Sequence, residues 1–115
     1  MRTYKEWAYA TKGITQPELI MALSGHPSFN KACEYFGVKL VVIDLDPVTL
    51  QMDLNKMEDA INSHTIGLVA SACGWPHGVV DPVPEMGQIA LKYGIGLHVD
   101  SCLGGFVIAF HKKYF

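Results

Sequence analysis

An α/β fold with a largely parallel sheet and covering helices is the class this sequence predicts, and three observations predict it. Short apolar runs alternate with stretches whose apolar residues recur at helical spacing. The runs are nearly continuous in apolar character, as strands buried on both faces must be. Gly, Pro and Asp stand between them at the positions where helices start and stop. Half of the 115 residues are hydrophobic, enough for one modest domain with a core and too short a chain for two.

Residues 4–10 carry aromatic and small apolar residues at helical spacing and run toward Gly13, with Pro17 blocking continuation, so they predict the tail of a helix. Residues 18–23 (ELIMAL), held between Pro17 and the Ser24-Gly25 turn pair, predict a first strand. Pro27 suits a first helical turn; Phe29, Ala32, Cys33 and Phe36 follow at i, i+3, i+4 and i+7, and Gly37 supplies the stop. Residues 40–43 predict a second strand. After the Asp46-Pro47 turn, Asp53 is expected to cap a helix that buries Leu54, Met57 and Ile61.

Residues 66–70 predict the third strand. Asp81 and Pro82 are expected as cap and first-turn residue of a helix carrying Val83, Met86, Ala90 and Tyr93 to a stop at Gly94. Residues 95–99 predict the fourth strand. Four runs with three intervening helices fit βαβ crossovers, and a sheet of four such strands leaves apolar edges and faces poorly covered, as part of a larger fold would.

The formal charge is −2 and the nine basic residues are scattered, which excludes the electrostatic footprint of a nucleic-acid or anionic-membrane binder and favours small-molecule or protein partners. Cys33, Cys73 and Cys102 have no CxxC spacing, which argues against a disulfide framework and a zinc site and for a reducing, cytosol-facing compartment. No apolar run approaches the roughly 18 residues needed to span a bilayer. The polar start MRTYKEW is unlike a signal peptide, and no linker or repeat divides the chain.

Ligands of open α/β sheets bind beyond the carboxyl ends of the strands, where loops converge and helix N-termini point. Ser24-Gly25-His26 follows the first strand, Ser71 to His77 the third, and Asp100-Ser101-Cys102 the fourth. Asp100 ends the strand LHVD, where a carboxylate needs a cation or donor to offset desolvation, unless it merely caps the following turn. His98 shares its face two residues earlier; it reads as a hydrogen-bonded core histidine or, with Asp100, as a metal-hydrolase pair. His26 reads as a helix-capping residue or as a ring presented flat to a ligand. Cys73 and Cys102 stand among small apolar neighbours and read as inert packing. Trp75-Pro76-His77-Gly78 reads as an ordinary loop with one buried aromatic, or as a wall of a pocket; His64 and His111 read as surface residues.

The blocks SGHPSFNKACEYFGVKL, SACGWPHGVVDPVPE and GLHVDSCLGGF stand in order on these elements, and through them residues 11–110 resemble the sphingosine-1-phosphate lyase family. The first and last blocks also resemble the related group II pyridoxal-phosphate decarboxylases. The resemblance implies the large domain of a fold-type I pyridoxal-phosphate enzyme, with residues 1–115 as a partial domain and pyridoxal 5'-phosphate as cofactor. It implies that His26 stacks on the pyridine ring, that Asp100 pairs with the ring nitrogen, that Ser71, Cys73 and His77 line the pocket, and that His98 supports the cofactor from the same block. His77 is the candidate base for cleavage of a phosphorylated sphingoid base to a fatty aldehyde and phosphoethanolamine. The resemblance further implies a homodimer at full length and residence at the cytosolic face of the endoplasmic reticulum membrane.

Two departures from the family pattern bear on activity. The glycine-rich phosphate loop belongs before the helix at residues 4–10, and the lysine that anchors the cofactor belongs a few tens of residues beyond Asp100. His111-Lys112 imitates the family's His-Lys pair but follows Asp100 too closely, so the chain is expected to be inactive alone. An amino-acid decarboxylase and a non-enzymatic remnant are the competing expectations, with the metal hydrolase behind them.

Overall fold

The computed structural model describes residues 1–110; the readings of His111 and Lys112 fall outside the described residues. Helix α1 (Arg2–Lys12) precedes β1 (Glu18–Ala22), α2 (Ser28–Phe36), β2 (Lys39–Ile43), α3 (Leu54–Asp59), β3 (Thr65–Ser71), α4 (Val83–Tyr93), β4 (Gly96–Asp100) and a last turn of helix, α5 (Gly105–Ile108). All strands pair in parallel in the order β2-β1-β3-β4.

The helices cover both faces, and strand parity decides which side chains they meet. Ile20, Ala22, Leu68 and Ala70 point to the face covered by α3 and α4, where Met57, Met86 and Ala90 are buried with them. Leu19, Met21 and Val69 point to the opposite face, against Ala8 of α1 and Cys33 of α2. Burying a side chain such as Ile20 or Leu68 stabilises the fold by roughly 1.5–3 kcal/mol.

Every residue of β1 and β3 is buried, as continuous apolar runs require, while β2 and β4 at the sheet edges are only partly covered. Gly37 and Gly94 close α2 and α4 in the left-handed region, at φ 59° and 61°, and Asp53 caps α3 by accepting from the Asn55 and Lys56 amides. The first strand stops one residue short of expectation: Leu23 is exposed.

Asp81 does not cap α4. Pro82 takes the cap position without a side-chain bond, and Asp81 is turned inward, 5% exposed. Local spacing reads as a cap; two distant amides recruit the carboxylate instead. Among the described residues no helix is long and apolar enough to cross a membrane.

Candidate functional site

The chain leaves β1 toward β2 and leaves β3 toward β4, so the connections diverge between β1 and β3. Such a reversal opens a crevice at the carboxyl edge of a parallel sheet. A cavity of about 220 Å³ lies at that edge, lined by His26 from the loop after β1, by Ser71, Cys73 and Trp75 from the end of β3 and its loop, and by Asp100, Cys102 and Leu103 after β4. Three junctions separated in sequence thus supply one concavity.

Asp100 is half-buried at the last position of β4, opposite Ser71 in the parallel ladder. Its donor among the described residues is Cys102, whose backbone N–H lies 3.1 Å from Oδ1. The Cys102 thiol beside it is the main reason the Asp100 carboxyl is held below the usual carboxylate range. Desolvation works against it, and the Cys102 amide and His98 add to the lowering. The neighbouring Asp100 carboxylate in turn pushes the Cys102 thiol up, which disfavours thiolate chemistry. Cys102 is nevertheless exposed, not packed as its apolar neighbours led one to expect.

His26 sits just before α2. Its Nδ1 accepts from the Ser28 N–H at 3.2 Å and lies 2.9 Å from Ser28 Oγ. A backbone N–H only donates, so Nδ1 is the acceptor and the neutral ring carries its proton on Nε2. Both readings of His26 meet in this geometry: it caps the helix start, and the capping bond fixes the ring at the wall of the cavity.

Ser71, Cys73, His26 and Asp100 are brought together; His77 and His98 stand outside the lining. His98 is two residues back from the strand end, roughly 6.6 Å at strand rise, so it lies on the sheet face and not at the mouth. It is exposed rather than a core histidine, tilted at 57° against Phe29 with 5.8 Å between ring centroids. His77 is exposed toward the outer turn of the loop that follows β3. Trp75 on that loop is 60% exposed, which corrects the reading of a buried aromatic and leaves it as a wall of the cavity.

Gly104 is a site residue that sequence reasoning passed over. It is buried, and a Cβ placed on it would collide with the Ala72 carbonyl and with Ile108, so only glycine lets the loop after β4 close against the end of β3. The Gly-Gly pair after Cys102 was its only sequence signal.

The lining tests whether a pyridine-type cofactor belongs here. A carboxylate held ionised, with donors among the described residues from one residue alone, has acceptor capacity left for a protonated ring nitrogen. A fixed neutral imidazole beside it offers a flat face without added charge. The ring end of pyridoxal 5'-phosphate fits these groups. Among the described residues the lining includes no Lys or Arg and so no basic partner for the phosphate. Among the described residues, no group of three or more His, Cys, Asp or Glu is placed to hold a metal ion.

Comparison with known proteins agrees with that test. Residues 2–115 match the model of the pyridoxal-dependent decarboxylase conserved domain. The chain is 49% identical over 109 residues to sphingosine-1-phosphate lyase of Saccharomyces cerevisiae, covering 95% of this chain and 18% of that protein. It is 46% identical over 100 residues to a probable L-aspartate decarboxylase of Pyrococcus furiosus, covering 87% of this chain and 27% of that protein. The solved structure of sphingosine-1-phosphate lyase from Burkholderia pseudomallei superposes with a TM-score of 0.87 at 44% identity, over 90% of this chain and 24% of that one. The chain therefore spans only about a fifth to a quarter of the length of these relatives.

Proposed function

The chain belongs to the pyridoxal-dependent decarboxylase family, and from that premise we propose that it is the ring-binding part of a carbon–carbon lyase of the sphingosine-1-phosphate lyase type. Residues 1–115 would be part of the large domain. The observation that carries the reading is the meeting of His26 and Asp100 in one cavity at the topological switch point. The lyase relatives from yeast and Burkholderia, at 49% and 44% identity, support the choice of reaction.

Bound pyridoxal 5'-phosphate supplies an electron-accepting ring for the carbon–carbon bond that breaks. This chain's residues prepare that ring. Asp100, kept ionised by the Cys102 thiol and amide, holds a proton on the ring nitrogen. His26, its Nδ1 committed to Ser28, presents its face to the ring without bringing charge. Ser71 and Cys73 bound the cavity, and Trp75 screens it from solvent at the loop. His77 is proposed as the group that takes the proton from a substrate hydroxyl; it stands outside the lining and reaches substrate only where the outer turn of its loop meets it. His98 acts on the site electrostatically, through Asp100. A phosphorylated sphingoid base as substrate, pairing of two chains, and residence at the cytosolic face of the endoplasmic reticulum membrane complete the proposal.

A titration of the purified chain with pyridoxal 5'-phosphate, followed by absorbance, tests the cofactor half of this reading. Saturable binding that Asp100→Ala abolishes supports it, and a chain that binds no cofactor overturns it. The Pyrococcus relative favours a second reading, decarboxylation of an amino acid. In the full-length protein, release of fatty aldehyde from a phosphorylated sphingoid base, against release of carbon dioxide from an amino acid, separates the two.

A further inference from the structure

Asp81 is the most deeply buried carboxylate of the carboxyl edge, yet among the described residues it faces no cation. Its Oδ2 accepts from the Ser71 N–H at 2.8 Å and its Oδ1 from the Met52 N–H at 3.1 Å, while its own N–H donates to the Ser71 carbonyl at 2.9 Å. Ser71 and Asp81 therefore pinch together the base of the loop at residues 72–80, and the second oxygen ties that base to the excursion between β2 and α3. Gln51 adds a tie on the same side, Nε2 to the Val80 carbonyl at 2.8 Å. Inside the loop, Gly74 N–H donates to the Val79 carbonyl and Gly78 N–H to the Gly74 carbonyl, so the loop is a closed unit that moves with its base.

Burying a carboxylate without a counter-charge costs free energy that an apolar residue would not. Desolvation accordingly pushes the Asp81 carboxyl up, with the Ser71 and Met52 amides opposing the rise. Apolar packing does not explain the residue; geometry does. One backbone segment that Asp81 holds is Ser71, and the loop it closes bears Cys73 and Trp75, all three of which line the cavity with His26 and Asp100.

We infer that Asp81 is a positioning residue, which sets the placement of the 72–80 loop, and with it Cys73 and Trp75, over the candidate cofactor cavity. The consequence for cofactor affinity rests on the proposed function; the consequence for the loop does not. Asparagine at 81 keeps one carbonyl acceptor but turns an NH2 toward a backbone N–H, releasing either Ser71 or Met52.

The test uses the full chain carrying Trp7→Phe, which leaves Trp75 as the sole indole reporter. Trp75 fluorescence anisotropy and the pyridoxal 5'-phosphate dissociation constant are measured with and without Asp81→Asn, beside circular dichroism. Glu18→Gln, which weakens a buried carboxylate at the opposite edge of the sheet, is the control for general destabilisation. The expected result is lower anisotropy and roughly tenfold weaker cofactor binding in Asp81→Asn alone, at temperatures where both variants are folded. Equal anisotropy in Asp81→Asn and its parent, or an equal drop in the Glu18→Gln control, overturns the inference. Should Asp81→Asn not fold, Gln51→Ala loosens the same base without stranding a buried group, and the same change in smaller measure is expected. A parent chain that binds no cofactor contradicts the proposed function, while the anisotropy still decides the role of Asp81.

Discussion

The two edges of the sheet each hold a carboxylate at the end of a strand, and they handle it in opposite ways. At the amino edge, Glu18 is buried and both of its oxygens are used: Lys39 Nζ lies 2.7 Å from Oε1 and Asn62 Nδ2 lies 2.8 Å from Oε2. At the carboxyl edge, Asp100 is half-buried, opens on a cavity, and takes its donors among the described residues from Cys102 alone. Both carboxyls are held below their ordinary range, Glu18 chiefly by Lys39 and Asp100 chiefly by the Cys102 thiol. A lowered carboxyl therefore does not by itself mark a site. The difference lies in the unused acceptor capacity: Glu18 is closed within the chain, while Asp100 keeps capacity for something that is not part of it.

Substitutions at the two edges should separate affinity from stability. Asp100→Ala is expected to weaken pyridoxal 5'-phosphate binding about a hundredfold, roughly 2.7 kcal/mol, since it strands the charged ring nitrogen. Its melting temperature should barely move, and a large drop in melting would recast Asp100 as a structural residue. Gly104→Ala forces a methyl into the Ala72 carbonyl and should cost about 2–3 kcal/mol of stability, read by denaturant unfolding, with some loss of cofactor affinity because the displaced loop carries Cys102. Glu18→Ala leaves Asn62 and Lys39 without their acceptor and should cost about 2 kcal/mol of stability at an unchanged cofactor dissociation constant. His26→Ala should weaken the cofactor by about 1 kcal/mol, roughly fivefold, the usual worth of a stacked ring.

Acid should expose the contrast more gently. Glu18 has a folded pKa below its usual 4.5, so its contribution is complete above that value and is lost as pH falls through the lower folded value. Asp81 is shifted the other way: between its usual 3.8 and its higher folded value the native state binds more protons than the unfolded chain, so stability from this group rises as pH falls. Denaturant midpoints between neutral pH and pH 3 should therefore fall less steeply in Glu18→Gln and more steeply in Asp81→Asn than in the parent chain. Parallel curves for all three would remove the linkage assigned to both groups.

Much of the fold was legible because its signals are local. The runs at residues 19–22 and 66–70 are apolar throughout because both faces of β1 and β3 are covered, and Gly37, Gly94 and Asp53 occupy the cap positions their chemistry suits. The site was legible in part, because the carboxyl ends of parallel strands converge: His26, Ser71, Cys73 and Asp100 were expected at one edge and line one cavity. Features set by distant partners were not legible. Asp81 before a proline reads as a cap, and nothing nearby announces that Met52 and Ser71 will claim it. Exposure also misled at the edge strand. His98 reads as core on an apolar strand, but among the described residues β4 lies at the edge of the sheet and His98 is exposed.

The central claim is that Asp100 recognises a protonated ring nitrogen. The measurement that tests it most directly compares the dissociation constants of pyridoxal 5'-phosphate and of its analogue with carbon in place of the ring nitrogen, in the parent chain and in Asp100→Ala. The account predicts that the parent prefers the nitrogen-bearing ring by at least about tenfold and that Asp100→Ala loses this preference. An equal preference in both proteins, or none in the parent, would contradict it.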